Sequence, residues 1–414
     1  MADNRWEPKA KKVAQVNTIT PTASNNATYT VTINTKDITY TADASATVAE
    51  ITAGLVALLN ASTEPEFAEV TWADGTTVLT GTADTAGKPF TQTSSSSAGA
   101  LTTSTTTANV SPSDFADADN WSAGTTPATG EDVYIDNSDV DILWNLGSLS
   151  AQTLATLTIA NSFTGVIGLA EYDTDSTEYR QYRPTYLAIG ITALRIGDET
   201  GEGSGRIKIN TGSVQTAIQQ FNAGSPEDDN LEAVIWKGTH ASNTVNVFGG
   251  SFGAAVFGGE TATIATLQVG SPGSSGGLEA DVRCGTGVTL TTITQLSGEL
   301  ETNSAATTIT VTGGSYRHGA GAVTTLTVRA ASVAYAGTGT IGTLNMATGG
   351  VIDFSEDMRA RTVSVCDVWG PCAISDPGQT VTWSAGIDFQ QLNPFRDCSI
   401  DVGTHRRLTP GAVA

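Results

Sequence analysis

Apolar and polar positions alternate in short runs along most of this chain, and one run keeps returning. It reads Ile264-Ala-Thr-Leu-Gln-Val269, Leu290-Thr-Thr-Ile-Thr294, Thr307-Thr-Ile-Thr-Val311, Thr324-Thr-Leu-Thr-Val328, Ile341-Gly-Thr-Leu-Asn-Met346 and Arg361-Thr-Val-Ser-Val365. With Leu267, Ile293, Ile309, Leu326, Leu344 and Val363 as equivalent anchors, the steps are 26, 16, 17, 18 and 19 residues. A unit that short holds two or three brief strands and their turns, too little to close a core alone. Such units must stack, so the period predicts a β-solenoid, read here as a parallel β-helix.

A different grammar precedes the repeat. Thr28-Tyr-Thr-Val-Thr-Ile33 and Ile38-Thr-Tyr-Thr41 alternate strictly around Asn34–Asp37, a hairpin pattern. Thr47 and Glu50 form a capping box, and Val48, Ile51, Leu55, Leu58 and Leu59 follow at helical spacing. Glu69-Val-Thr-Trp72 and Thr77-Val-Leu-Thr80 are further strands. The expected fold is therefore mainly β: a small α+β domain over 13–95, then the solenoid. Residues 1–12 read as a basic arm, and 96–114 as a Ser/Thr-rich linker rather than the domain's last strand and its turn. Residues 115–160 read as the solenoid's opening coil and cap, with Trp121 and Trp144 as cap residues. The solenoid itself spans 161–375, with acidic insertions at 171–182 and 224–230. Residues 376–414, with Trp383, Phe389 and Phe395, form a far cap or an inter-subunit segment.

Composition supports this reading. Charged residues are only 15 % of the chain, and Thr, Ser, Ala and Gly fill the gap, favouring strands and tight corners. The formal net charge of −22 argues against a nucleic-acid partner, because phosphate binding needs a basic face. Arg5, Lys9, Lys11 and Lys12, with Trp6 among them, are the local exception: either a solvated tail or a dock for an acidic partner. No run of about 20 apolar residues predicts a membrane span. The first residues lack the apolar core of a secretory signal, which weighs against a secreted enzyme or adhesin. The cysteines, Cys284, Cys366, Cys372 and Cys398, lack zinc-site spacing. Free buried thiols are expected, with a bridge from Cys372 to Cys366 or Cys398 left open.

Candidate chemistry is sparse. His240, His318 and His405 stand far apart in the sequence. Paired acids cleave glycosidic bonds, and the candidates are Asp228 with Asp229, Asp173 with Asp175, and Glu299 with Glu301. Arg206-Ile-Lys208 and Arg317-His-Gly319 match two polygalacturonase motifs in the reverse of that family's order, without its Asn-Thr-Asp, and read as chance. The Asp173/Asp175 loop is too short for an EF-hand. Gly249-Gly250 and Gly258-Gly259 lack the context of a phosphate loop and suit coil corners. Neither a catalytic residue, a metal nor a cofactor is expected.

The N-terminal pattern Tyr29-Thr-Val-Thr-Ile-Asn34, Tyr40-Thr-Ala-Asp43 and Thr47–Asn60 resembles a small domain of tailed-bacteriophage virion proteins. Asn120-Trp-Ser-Ala-Gly124, Asp141-Ile-Leu143 and the Thr-rich solenoid also resemble phage structural sequences. The resemblance implies a non-enzymatic virion protein, assembled in the host cytoplasm and displayed on the particle surface, with capsid decoration favoured. Its partner would be the major capsid protein or a tail protein, gripped through Arg5, Trp6, Lys9, Lys11 and Lys12. By analogy it would be a homotrimer. The alternative is a tail fibre or spike that binds or cleaves host glycan, for which Tyr172, Tyr179, Tyr182 and Tyr186 are the aromatic cluster. A bacterial surface adhesin is a third reading.

Overall fold

The computed structural model describes residues 3–169, 182–197, 206–222, 232–271, 279–390 and 398–402. Among the described residues two parallel sheets form the larger part, one of 14 strands and one of 11. The chain alternates between them, as in Val288–Gln295, Glu299–Thr302, Ala306–Val311 and Ser315–His318. Each strand pairs in parallel with its counterpart one coil later, which is the β-solenoid that the repeat predicts. The stacking also includes the strands Leu187–Ala188, Ile207–Asn210, Val234–Lys237 and Gly250–Ala254, which precede the first of the recurring phrases.

Leu267, Ile293, Ile309, Leu326 and Leu344 lie in one row, each facing the next, and all are fully buried. The row continues into Cys366 rather than Val363, which pairs with Ile341. The long strands carry two inward positions three residues apart, bracketing two outward ones: Ile264 and Leu267, or Val363 and Cys366. The sixth phrase therefore matches the first inward row, not the second. Coil corners are tight. A Cβ on Gly287 would stand 1.8 Å from the Glu260 carbonyl oxygen, so only glycine fits there.

The N-terminal residues are not a free arm. Asn4 and Arg5 pair in parallel with Val133 and Tyr134 and form the outermost strand of the long sheet. Trp6, 2 % exposed, stacks on Phe115 at 6.4 Å and meets Trp121 edge-on at 5.2 Å. Asn4, Trp6 and Ala10 are buried while Lys9, Lys11 and Lys12 are exposed. The segment's fate follows its buried positions, not its charges. The chain leaves the cap, crosses an antiparallel Val13–Val110 bridge, and returns. The α+β unit is thus an insertion between the first two strands of the long sheet. Buried Asn120 fastens the crossing: its amide donates to the carbonyls of Ser111 (2.7 Å) and Asp114 (3.0 Å) and its oxygen accepts from the Ala10 N–H. The Trp121 indole donates to the Phe115 carbonyl at 3.0 Å.

Within the insertion, Thr28–Ile33 pairs with Lys36–Thr41 across the predicted hairpin and with Gln92–Ser96 on its other side. A second sheet orders Val70–Asp74, Leu79–Ala83, Val16–Thr22 and Ala100–Thr107. The last strand corrects the linker reading of 96–114. β-Branched threonines favour a strand even where, as here, only Leu101 is buried. The helix Val48–Asn60 starts at the predicted capping box and buries Ile51, Thr52, Leu55 and Leu59. Leu58 is exposed, and Thr52 takes a place on the inward face. The 376–414 segment continues the stack rather than only covering it: Val381–Trp383, Ile387–Phe389 and Ser399–Asp401 all add parallel strands. Phe395 lies outside the described residues.

Candidate functional site

The outward side of the repeat forms the most regular surface. Strand alternation sends the residues flanking each buried anchor to the outside. Thr244, Thr266, Thr292, Thr308, Thr325 and Thr343 therefore make one row across successive strands. Asn246, Gln268, Thr294, Thr310, Thr327 and Asn345 make a second row beside it. Neighbours stand about 4.8 Å apart across the strands and about 6.6 Å apart along them. No ionisable side chain interrupts either row. The second row passes through Gln219 to Arg195 at one end and meets Asp367 at the other, whereas the first continues into Ala217 and Ala193 and, at its far end, Val365.

The second sheet presents the opposite surface. Asp281 faces Glu299, and Arg283 faces Glu301, which faces Arg317. Arg317 donates to Glu301 at 2.9 Å and to Glu356 at 3.0 Å. Burial, followed by Glu299 and Glu301, raises the Asp281 carboxyl. Nearby Glu232 is 7 % exposed, and one of its carboxylate oxygens has no hydrogen-bond partner. Its other oxygen lies 3.8 Å from Arg283, and burial raises its pKa.

Where the inserted unit meets the solenoid, Glu69 is the hub. It accepts from Arg183 at 2.7 Å and Tyr182 at 3.3 Å, and pairs with Lys88. Arg183 also donates twice to the Pro89 carbonyl, at 2.8 and 2.9 Å. Beside this latch lies a cleft of about 460 Å³ lined by Thr32, Thr93, Leu143, Asn145, Tyr182 and Arg183, among others. Nothing in the spacing of residues 69 and 183 announced this contact.

The expected partner-binding residues divide. Trp6 is consumed by the cap and is not presented to a partner in this fold. Arg5 pairs with Asp136 and covers the Tyr134 ring, Lys9 pairs with Glu7, and Lys11 and Lys12 are exposed. Of the tyrosine cluster, Tyr172 and Tyr179 lie outside the described residues, as do Asp173, Asp175, Asp228, Asp229 and His405. Tyr182 belongs to the latch. Tyr186 is 6 % exposed, donates to Glu260 at 3.0 Å and is covered by the Lys237 ammonium at 3.9 Å. Neither described tyrosine is an open stacking platform.

The remaining candidates are structural in placement. Glu299 and Glu301 share the outer side of one strand, as their spacing predicts. Lys208 is buried and donates to the Leu169 carbonyl at 2.7 Å. Trp144 is half-buried beneath Arg183. His240 accepts the Ser242 N–H in a turn. His318 lies in the core, stacked on Tyr335 at 4.7 Å. Its Nε2 faces the Gly321 carbonyl at 3.0 Å, so that nitrogen carries the proton, and Nδ1 accepts from Tyr316 at 2.8 Å. Among the described residues, no cluster of His, Cys, Asp and Glu could hold a metal ion, and no helix is long and apolar enough to cross a membrane. No protein-family model, no curated protein and no solved structure matches this chain.

Proposed function

We propose that this chain is a non-enzymatic structural protein of a tailed-bacteriophage particle. It would be a β-helical rod attached to a capsid or tail protein through its N-terminal part, with capsid decoration favoured, and packed against copies of itself along the threonine face. The carrying observation is that face. On a chain of net charge −22, like copies repel wherever their acidic surfaces meet, and the threonine rows are where they approach without that cost. Threonine methyls give apolar contact and the hydroxyls give hydrogen bonds, a mixture that suits polar interfaces. The uncharged rows cover on the order of 500 Å². A standard interface needs about 800 Å² per partner, so the flanking parts of the same long sheet must contribute. The resemblance of residues 29–60 to virion domains supplies the particle, and the inserted unit at the capped end supplies a separate head for attachment.

Two measurements test this. Native mass spectrometry of the purified protein should show a homo-oligomer, and the double substitution Thr308→Glu with Thr310→Glu should give monomers of unchanged circular dichroism. A monomeric parent at tens of micromolar would sink the assembly reading. Cryo-electron microscopy of particles should place the chain at repeated capsid positions. Density at the tail tip would move it to the fibre reading, and its absence from particles would overturn the virion reading altogether.

A further inference from the structure

We propose that Cys372 and Cys398 are a redox pair that closes into a disulfide, stapling the last described coil of the solenoid to the coil before it. The strand Ala373–Ser375 pairs in parallel with Ser399–Asp401, Ala373 opposite Ser399. Cys372 and Cys398 each stand one position earlier, on the same rung, and the Ser399 N–H donates to the Cys372 carbonyl at 2.9 Å. Adjacent strands place such residues about 4.8 Å apart with side chains on one side, within the roughly 4.4–6.8 Å between Cα atoms that a disulfide spans. Both cysteines line one open cavity of about 430 Å³ with Gly349, Gly350 and Pro371. The cavity opens to solvent, so a small reagent can reach this edge of the coil.

The two thiols have different roles. Cys372 is 7 % exposed, and burial, followed by the neighbouring Cys398, pushes its thiol up to about 12. It is a poor first nucleophile. Cys398 is more exposed and attacks first. The oxidant is a low-molecular-weight disulfide. Cys398, having lost its proton to water, attacks one sulfur and expels one thiolate, leaving a mixed disulfide. Cys372 then loses its proton and attacks the Cys398 sulfur, expelling the second thiolate. Two protein thiols are oxidised and one small disulfide is reduced to two thiols. Cys366 sits on the other sheet, between Leu344 and Ile387 in the inward row, and shares no rung with either.

Among the described residues Ser399–Asp401 pairs on one side only, with Ala373–Ser375, and the staple ties that strand to its one partner; segments with few supporting contacts open most readily. Incubating the full chain with oxidised glutathione, alkylating, and mapping peptides should recover a Cys372–Cys398 cross-link lighter by two hydrogens, with Cys366 alkylated after unfolding. Amide exchange at Ser399–Asp401 should slow by about tenfold on oxidation. Cys366→Ser should leave both results unchanged, and Cys398→Ser should abolish both. Cross-links through Cys366 or Cys284, or four fully alkylated thiols after oxidation, would overturn the pairing. This test does not depend on where the protein resides or what it assembles with.

Discussion

Replacing Trp6 with alanine tests whether the N-terminal segment is part of the fold. The side chain is 2 % exposed and packs on Phe115 and Trp121. Truncating a buried Trp costs about 3–5 kcal/mol, and each aromatic contact adds about 0.5–1.5 kcal/mol beyond simple burial. Against this, the indole N–H has no hydrogen-bond partner, a defect of about 1–3 kcal/mol that the truncation removes. The last two contributions about cancel, so the net loss should be about 3–5 kcal/mol. Trp6→Phe keeps a ring and removes the unpaired N–H, so it should cost no more than about 1 kcal/mol. Lys11→Ala and Lys12→Ala alter exposed side chains and should stay within about 0.5 kcal/mol. Urea denaturation followed by circular dichroism gives the stabilities, and amide exchange at Val133–Ile135 reports the terminal strand pair directly. If Trp6→Ala left both the urea midpoint and that exchange unchanged, the segment would not be docked, and the insertion topology would fall with it.

Acid should weaken the core at His318. Burial holds its imidazole below the ordinary value, while the unfolded chain takes up that proton near pH 6.5. The neutral ring's contribution is complete above that pH and is lost as pH falls below it. The thermal midpoint should drop between pH 7 and 5, and His318→Gln should flatten that part of the profile. Glu232 has the opposite sign: its raised carboxyl favours the protonated folded form, a contribution lost as pH rises through the folded value. Glu232→Gln should accordingly leave the midpoint unchanged or higher at pH 7, and a large loss there would show that the charge is needed. Gly287→Ala drives a methyl into the Glu260 carbonyl and should cost more than the roughly 1 kcal/mol scale of a backbone-entropy effect, read from the urea midpoint. Arg183→Ala removes the bonds to Glu69 and Pro89. It should loosen the inserted unit in small-angle scattering while leaving the solenoid's melting in place.

How far the sequence could be read depended on which interactions are local. One apolar anchor per coil marked the solenoid, because a period-2 strand shows its buried side in every repeat. The slip at Val363 arose from a strand with more than one inward position: Val363 and Cys366 are both buried, and only the partner strand decides which row each joins. Residues 100–107 failed differently. An outward-facing threonine strand and a threonine-rich linker have the same composition, and pairing with Val16–Thr22 is what separates them. The docking of Asn4 and Arg5 beside Val133 and Tyr134 crosses the whole inserted unit, so local periodicity has no access to it. Trp6 held the relevant hint, since an indole among lysines has more apolar surface to bury than the lysines have reason to stay solvated. The threonine phrase itself carried two messages, and the fold uses only one. Its central Ile or Leu is sufficient to set the coil, yet threonine returns on both sides at Thr292 and Thr294, Thr308 and Thr310, and Thr325 and Thr327. These threonines are half-buried on the outward side, where strand positions tolerate many residues, including the charges found on the second sheet. A face free of charge through successive coils of an acidic protein is the observation on which the proposed self-contact rests, and that contact, an uncharged surface meeting its like, would account for it.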